Sequence, residues 1–521
     1  MAAANDMRVG RCVNIGNCAS ADTRKTIQVP VGADFVCPEC GKSLVTLQGP
    51  VGPAGRGVPA WAIAAGVVVA LGLAGLAVLS FGHGSGAGGG FPLGGLGKPE
   101  PNLRLGGSNT IGDKLGPALA EGWLKSQGCA DIEKQSPAKD ELVLTCKTNI
   151  KTLVVTVAAH GTKTGFDGLK TKTYDVAMAS DQIDRVTAAD LSGLGDMNSP
   201  AAEHIIGLDG VAIVVNPANR VASLTLSQVA DLFGGRISDW SQLGATAGPV
   251  TVFARDENSG TWKFFKRQVL DTYGAKLRAD AQRFEKGSEL SDGVAAATGG
   301  IGFVGAGSAQ VARPVPIVSQ NGGEPLLANS RTIGTEDYAL SRRLYLYVPQ
   351  REPALAAMQF LAFVDSTAGK QIVTANGFVS RDVAPPPAAD SGSSKPRNAP
   401  HEYLDATGSG DRLNTNFFFA SGSSELDNRA LGDLDLVANY LSQHNIPPER
   451  LLLIGFTDDR GGDQANLRLS ESRARAIAEA LRTRQVSPGG ITGFGKALPI
   501  RDNSTEEGRS KNRRVEVWIR P

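Results

Sequence analysis

Residues 250–265 read VTVFARDENSGTWKFF. The β-branched, apolar opening predicts a buried strand, and Trp262 to Tyr273 carries helical periodicity, so the segment is a strand, a tight turn and a helix. Arg255 and the run Ser259-Gly260-Thr261 stand at that turn. Free N–H groups at a helix start, two hydroxyls and a forked guanidinium suit an oxyanion, which needs many donors once it leaves water. Two further turns have the same Gly/Ser/Thr character: GGSNTIG at Gly106–Gly112 and GTKTGF at Gly161–Phe166.

Outward from these turns, apolar runs (LVVTVAA, DVAMAS, VAIVV, IGFVG, RLYLYV) alternate with helical stretches such as Asp113 to Gln127. That alternation predicts α/β architecture with a largely parallel sheet over residues 102–381. The stretches LRLGGSNTIG, YDVAMAS, HIIGLDGVAIVVNPAN, LSQVADLFGGRISDW, ARDENSGT and GGIGFVG, in this order, resemble the periplasmic phosphate-binding proteins of ABC importers. The resemblance implies a two-lobed Venus-flytrap domain that holds phosphate or a related oxyanion between its lobes. Carried over residue by residue, it implicates Ser108, Asn109, Thr110, Ser180, Arg255, Ser259, Gly260 and Thr261, with Thr162 or Thr164 from the second loop. Asp181 departs from the pattern, because such proteins often carry Arg there. As a ligand residue it would accept the proton of hydrogen phosphate and so exclude sulfate; as a structural one it is an exposed strand-end carboxylate.

The C-terminal part, GFTDDRGGDQANLRLSESRARAIAEALR and then ITGFGKALPIRDNSTEEGRSKNRRVEVWI, carries T-D-x-x-G, N-x-x-L-S-x-x-R-A and G-R-x-x-N-R-R-V. Residues 412–521 thereby resemble the OmpA-like peptidoglycan-binding domain, a compact β/α sandwich. The resemblance assigns Asp458 to the ammonium and Arg473 to the carboxylate of a diaminopimelate centre, with Asn466 and Arg514 shaping the pocket. Both charges are expected at the rim of a groove. Between the two domains, the Pro- and Ser-rich residues 382–411 read as a linker.

Before residue 102 the chain changes character. Cys12, Cys18, Cys37 and Cys40 fall in residues 8–47, where CPEC followed by Gly is a metal knuckle. Two thiolate pairs suit a tetrahedral structural Zn, and the segment resembles a small zinc ribbon, although the gap between Cys12 and Cys18 is wide. Trp61 to Phe81 has no charged residue and is long enough, at 1.5 Å per residue, for ~30 Å of hydrocarbon. It predicts a single transmembrane helix, residues 61–81, followed by a Gly-rich linker, residues 82–101. Basic residues precede it and Lys98 is the next after it, which predicts a cytoplasmic N-terminus and a periplasmic bulk in the inner membrane. Cys129 and Cys146 then lie where disulfides persist, and are expected to pair.

With Lys+Arg 53 against Asp+Glu 52, a net charge of +1, there is no global excess of positive charge to hold nucleic acid. No G-x-S-x-G, H-E-x-x-H or Walker A lysine motif occurs, so binding and not catalysis is expected. The whole reads as a multidomain α/β binding protein anchored in the membrane and tethered to peptidoglycan, serving an ABC permease or a sensor. The alternative is a structural membrane-to-wall tether whose flytrap has become a protein-interaction module.

Overall fold

The computed structural model describes residues 7–11, 26–30, 36–38, 45–46 and 102–521, apart from 247, 258, 320–322, 386–394, 397 and 427. The expected membrane span, the Gly-rich linker, and Cys12, Cys18 and Cys40 lie outside the described residues. The chain divides into two compact units, residues 1–95 and 96–521. In the first, β1 (Met7–Arg11) is the centre of an antiparallel sheet between β2 (Thr26–Pro30) and β3 (Val45–Thr46). Cys37 is buried.

The second unit begins with β4 (Leu103–Gly107), β5 (Ile132–Gln135), β6 (Glu141–Lys147), β7 (Thr152–Ala158) and β8 (Val176–Ala179). Then come β9 (Glu203–Val215), β10 (Leu224–Thr225), β11 (Thr251–Arg255), β12 (Gln282–Phe284), β13 (Gly300–Gly305), β14 (Arg313–Pro314), β15 (Ile317–Val318) and β16 (Ser341–Tyr347). The large sheet runs β12-β11-β13-β9-β16-β8-β4-β7-β6-β5, with β14 on β9. Pairing is parallel around β4 and β11 but antiparallel at β13–β9, β9–β16 and β16–β8. The expected largely parallel sheet is therefore mixed: antiparallel hinge strands join its halves, and β5, β6 and β7 also pair antiparallel at one edge. β9 serves both halves: Glu203–Gly210 pair with β16, and Val211–Val215 pair with β13.

Each half buries its own core. One collects Leu103, Leu105, Trp123, Val155 and Phe360. The other is aromatic: Phe265 and Phe303 stack at 4.0 Å between centroids, with Phe233 and Trp262 against them. Such ring pairs add ~0.5–1.5 kcal/mol beyond their buried area. In the first half Cys129 and Cys146 form a disulfide that joins the end of the helix Leu115–Ser126 to β6, as expected.

The C-terminal sheet runs β17-β20-β18-β19, built from β17 (Asp411–Phe418), β18 (Leu451–Gly455), β19 (Gly490–Gly493) and β20 (Arg514–Ile519). Helices Asn428–Gln443 and Asp463–Arg482 lie on one face. The second sits so close that a Cβ on Gly455 would lie 1.9 Å from the Ser470 carbonyl oxygen. Small residues therefore line the contact. The other face is covered by the helix His401–Thr407, whose Tyr403 is fully buried against Phe456, Phe494 and Trp518. Part of the expected linker is thus structural: one tyrosine finds an aromatic pocket, and its hydroxyl donates to Glu516 at 2.8 Å.

The two domains of this unit are joined by buried ion pairs. Arg412 donates to both Asp337 oxygens at 2.7 and 3.1 Å, and Arg501 donates to the carbonyls of Glu336, Asp337 and Tyr338. Glu336 pairs with Arg343 of its own domain and with Lys511 of the other. Burial pushes the Glu336 carboxyl up, but Arg343 and Lys511 override it and lower its pKa from 4.5 to about 2. A carboxylate depressed on folding stabilises above its unfolded pKa and loses that contribution as pH falls through the folded one. The urea midpoint should accordingly drop between pH 4.5 and about 2. Glu336→Gln should flatten that part of the profile; an identical slope in the variant would place the titration elsewhere.

Candidate functional site

The first turn is shaped by glycines. At Gly107 φ is 132°, and a Cβ there would meet the Met178 carbonyl oxygen at 2.2 Å, so only glycine lets β4 lie this close to β8. Ser108 follows, donating its N–H to that carbonyl at 2.8 Å. Its Oγ is buried and has no hydrogen-bond partner among the described residues. The second turn opens on Gly161, which donates to the Gly107 carbonyl at 2.7 Å. Thr162 Oγ1 accepts from the Ser180 N–H at 3.2 Å and lies 3.4 Å from the Ser180 hydroxyl. Three chain segments of one lobe, carrying Ser108, Thr162 and Ser180, therefore converge. Asn109 is spent on structure, its amide donating to the Ala159 carbonyl.

The other lobe supplies the third turn. Ser259 caps the helix Gly260–Phe265 by accepting from the N–H groups of Thr261 and Trp262. A Cβ on Gly260 would lie 2.2 Å from Thr110 Oγ1, so glycine is what allows the lobes to touch. Arg255 donates one Nη to the Glu285 carbonyl at 2.7 Å, while its Nε is buried without a partner among the described residues. Burial is the main reason that its pKa is lowered. Asp181 bonds Arg267 of the opposite lobe at 2.6 and 3.3 Å. It is a partly exposed interlobe ion pair, in place of a carboxylate committed to a ligand proton alone.

Two residues at this junction escaped sequence reasoning. Arg342 on β16 donates to Asp209 on β9 at 2.8 and 3.0 Å, to Thr110 Oγ1 at 3.0 Å and to the Gly260 carbonyl at 3.1 Å. It also lies over the Phe264 ring. The available signal was charge in otherwise apolar strands, Asp209 in HIIGLDGVAIVV and Arg342 beside Arg343 in SRRLYLY, since charges buried in such strands must be paired.

In the C-terminal domain, Asp458 and Arg473 occupy one neighbourhood without bonding each other. Arg473 donates to the carbonyls of Ser423, Phe456 and Ala420 at 2.9, 3.0 and 3.1 Å. Burial, with repulsion from Arg513, lowers its pKa to about 10 against the pull of Asp458. Asp458 accepts from Arg513 at 2.9 Å and from the Arg460 N–H at 3.2 Å. The expectation that both lie at a rim is corrected: Asp458 is 6% exposed and Arg473 0%. Asn466 is also buried, near the Gly461 carbonyl. Arg514 belongs to the opposite sheet face, paired with Glu516 at 2.7 Å over the Phe456 ring. It is an internal ion pair and not a pocket wall, because alternation along β20 turns its side chain away from Arg513. Arg513 is the neighbour of Asp458 that the motif reading passed over.

Residues 133–367 match the model of the PBP superfamily domain, and residues 418–513 that of the OmpA family. The phosphate-binding protein PstS of Borreliella burgdorferi is 24% identical over 47% of this chain and 86% of its own length. The probable lipoprotein YiaD of Escherichia coli is 39% identical over 23% of this chain, which spans 56% of that relative. An ABC-type phosphate transport receptor from Vibrio cholerae is structurally similar over 53% of this chain and 99% of its own, with a TM-score of 0.41 and 22% identity. The chain thus joins a two-lobed PBP-type domain to an OmpA-type domain. Among the described residues, no helix is long and apolar enough to cross a membrane and no group of three His, Cys, Asp or Glu side chains could hold a metal.

Arg342→Ala should strip Asp209 of its counter-charge inside the hinge. Removing one partner of a buried pair costs ~3–5 kcal/mol, so the denaturant midpoint should fall sharply. A midpoint equal to that of the wild type would refute the pairing.

Proposed function

We propose that the chain is an envelope binding protein that captures phosphate or a closely related oxyanion between its two lobes while its OmpA-type domain holds peptidoglycan. The observation that supports this most directly is the pair of buried donors without protein partners, Ser108 Oγ and Arg255 Nε, at the turns that also carry Thr162, Ser180 and the Ser259–Thr261 cap. Isolated buried donors are costly to leave unpaired, and an anion with several lone pairs satisfies them together. Thr110 contributes through its backbone, its hydroxyl being held by Arg342. In this reading Asp181, which also bonds Arg267, selects a ligand that carries a proton.

For peptidoglycan, Asp458 receives the ammonium of a diaminopimelate centre and Arg473 its carboxylate. In this reading the ligand carboxylate competes with the carbonyls of Ser423 and Ala420 for the guanidinium. At the N-terminus, Cys12, Cys18, Cys37 and Cys40 hold a structural Zn on the cytoplasmic side, and residues 61–81 cross the inner membrane. In this reading the captured anion passes to an ABC permease or a sensor.

Calorimetric titration of the chain with phosphate and with sulfate tests the anion site. Arg255→Ala should weaken phosphate by ~1.5–3 kcal/mol, the range for hydrogen bonds to charged groups. Unchanged affinity would remove Arg255 from the site. For the wall, Asp458→Ala should abolish co-sedimentation with purified diaminopimelate-type sacculi, and continued co-sedimentation at the wild-type level would end the assignment.

A further inference from the structure

The helix Glu506–Asn512 of the OmpA-type domain touches three places at once. Toward the wall site, Arg513 at its C-terminal end donates to Asp458 at 2.9 Å and returns to Glu506 at 2.8 Å. Toward the PBP-type domain, Lys511 pairs with Glu336. With its amide nitrogen turned toward Glu507, Gln268 donates to both carboxylate oxygens at 3.0 Å, one residue from the Arg267 that bridges the lobes to Asp181.

The segment that Lys511 grips leads straight into the anion site. Glu336 sits at a φ of 59°, held also by Arg343. Asp337 is forked by Arg412, and the Tyr338 hydroxyl donates at 3.0 Å to the Val211 carbonyl, where β9 passes from one lobe to the other. A few residues on, Arg342 bonds Thr110 of one lobe and Gly260 of the other. Every link is buried or part-buried, and the chain from Glu336 to Arg342 spans at most ~20 Å even if fully extended.

We infer that the OmpA-type domain is a positioning part of the anion site: by clamping residues 336–338 it sets Arg342, so that capture of peptidoglycan and of phosphate favour one another. An ammonium arriving at Asp458 takes over bonds from Arg513, whose second partner is Glu506. Arg513 is then left to Glu506 alone, which tightens the hold of this helix on Glu336 and Gln268. Because the lobes already touch at Gly260 and Thr110 in this docked arrangement, a wall ligand that stiffens it favours the closed, anion-holding state. Linkage requires the effect to be reciprocal.

The inference rests on the proposed function, and the experiment separates the two. Phosphate is titrated into the full chain in mild detergent, with and without a saturating soluble muropeptide containing meso-diaminopimelate, and the muropeptide is titrated with and without phosphate. Each ligand should tighten the other by the same factor, about fivefold or more, the lower end of typical allosteric coupling. Lys511→Met should bring that factor below twofold with both ligands still binding. Glu507→Gln, a change at an exposed side chain that cannot unfold the domain, should reduce the factor as well. If both ligands bind and neither alters the other's Kd, or each weakens the other, the inference is overturned and the proposed function stands. If either ligand fails to bind at all, the proposed function falls and takes the inference with it.

Discussion

A carboxylate and a guanidinium that neither apolar strand could bury alone meet where the two lobes share their sheet. Asp209 and Arg342 sit on adjacent strands, and the guanidinium has donors left over after the carboxylate is satisfied. Those donors reach Thr110 from one lobe and the Gly260 carbonyl from the other, so a single side chain spans hinge and cleft. The glycine turns can come together only because this pair makes the crossing of β9 and β16 tolerable in a low-dielectric interior. In that setting Ser108 and Arg255 can be left with donors turned inward, the condition for binding an anion without bulk water.

A second ionic layer has a different role. Glu336 and Asp337 project from the PBP-type domain into a set of Arg and Lys side chains from the OmpA-type domain. An interface held by buried charge is orientation-specific, since a slip of a few ångströms would strand each charge without its partner. Two modules that could have been beads on a string are thereby held in one register. The buried polar groups of the one domain and the buried acid and base of the other share a scaffold.

The three glycine-rich turns were legible as short motifs because each depends on local backbone: glycine at a positive φ, a hydroxyl at a helix start, an arginine at a strand end. Asp458 and Arg473 were legible for the same reason, lying in one contiguous motif. Their burial was not, because exposure is set by what folds over a residue, here the Ala420 to Ser423 loop that supplies carbonyls to Arg473. Asp209, Arg342, Arg513 and Glu336 were passed over although each is an ordinary charged residue in plain view. A charge becomes informative only once its partner is known, and these partners are 133 residues apart for Arg342 and 55 for Arg513.

The amino-acid order alone determined the alternation of strands and helices, the two domains, the glycine turns, the apolar run at residues 61–81 and the pairing chemistry open to Cys129 and Cys146. All of these depend on properties of neighbouring residues: side-chain periodicity, backbone freedom, local charge. The tertiary structure decided which lobes meet, that the central sheet is mixed, that Tyr403 turns part of a linker into a core element, and that the two domains lock through Glu336 and Asp337. Those outcomes depend on pairing over long sequence separation, where the energy of a buried charge or ring is settled by whichever distant group reaches it.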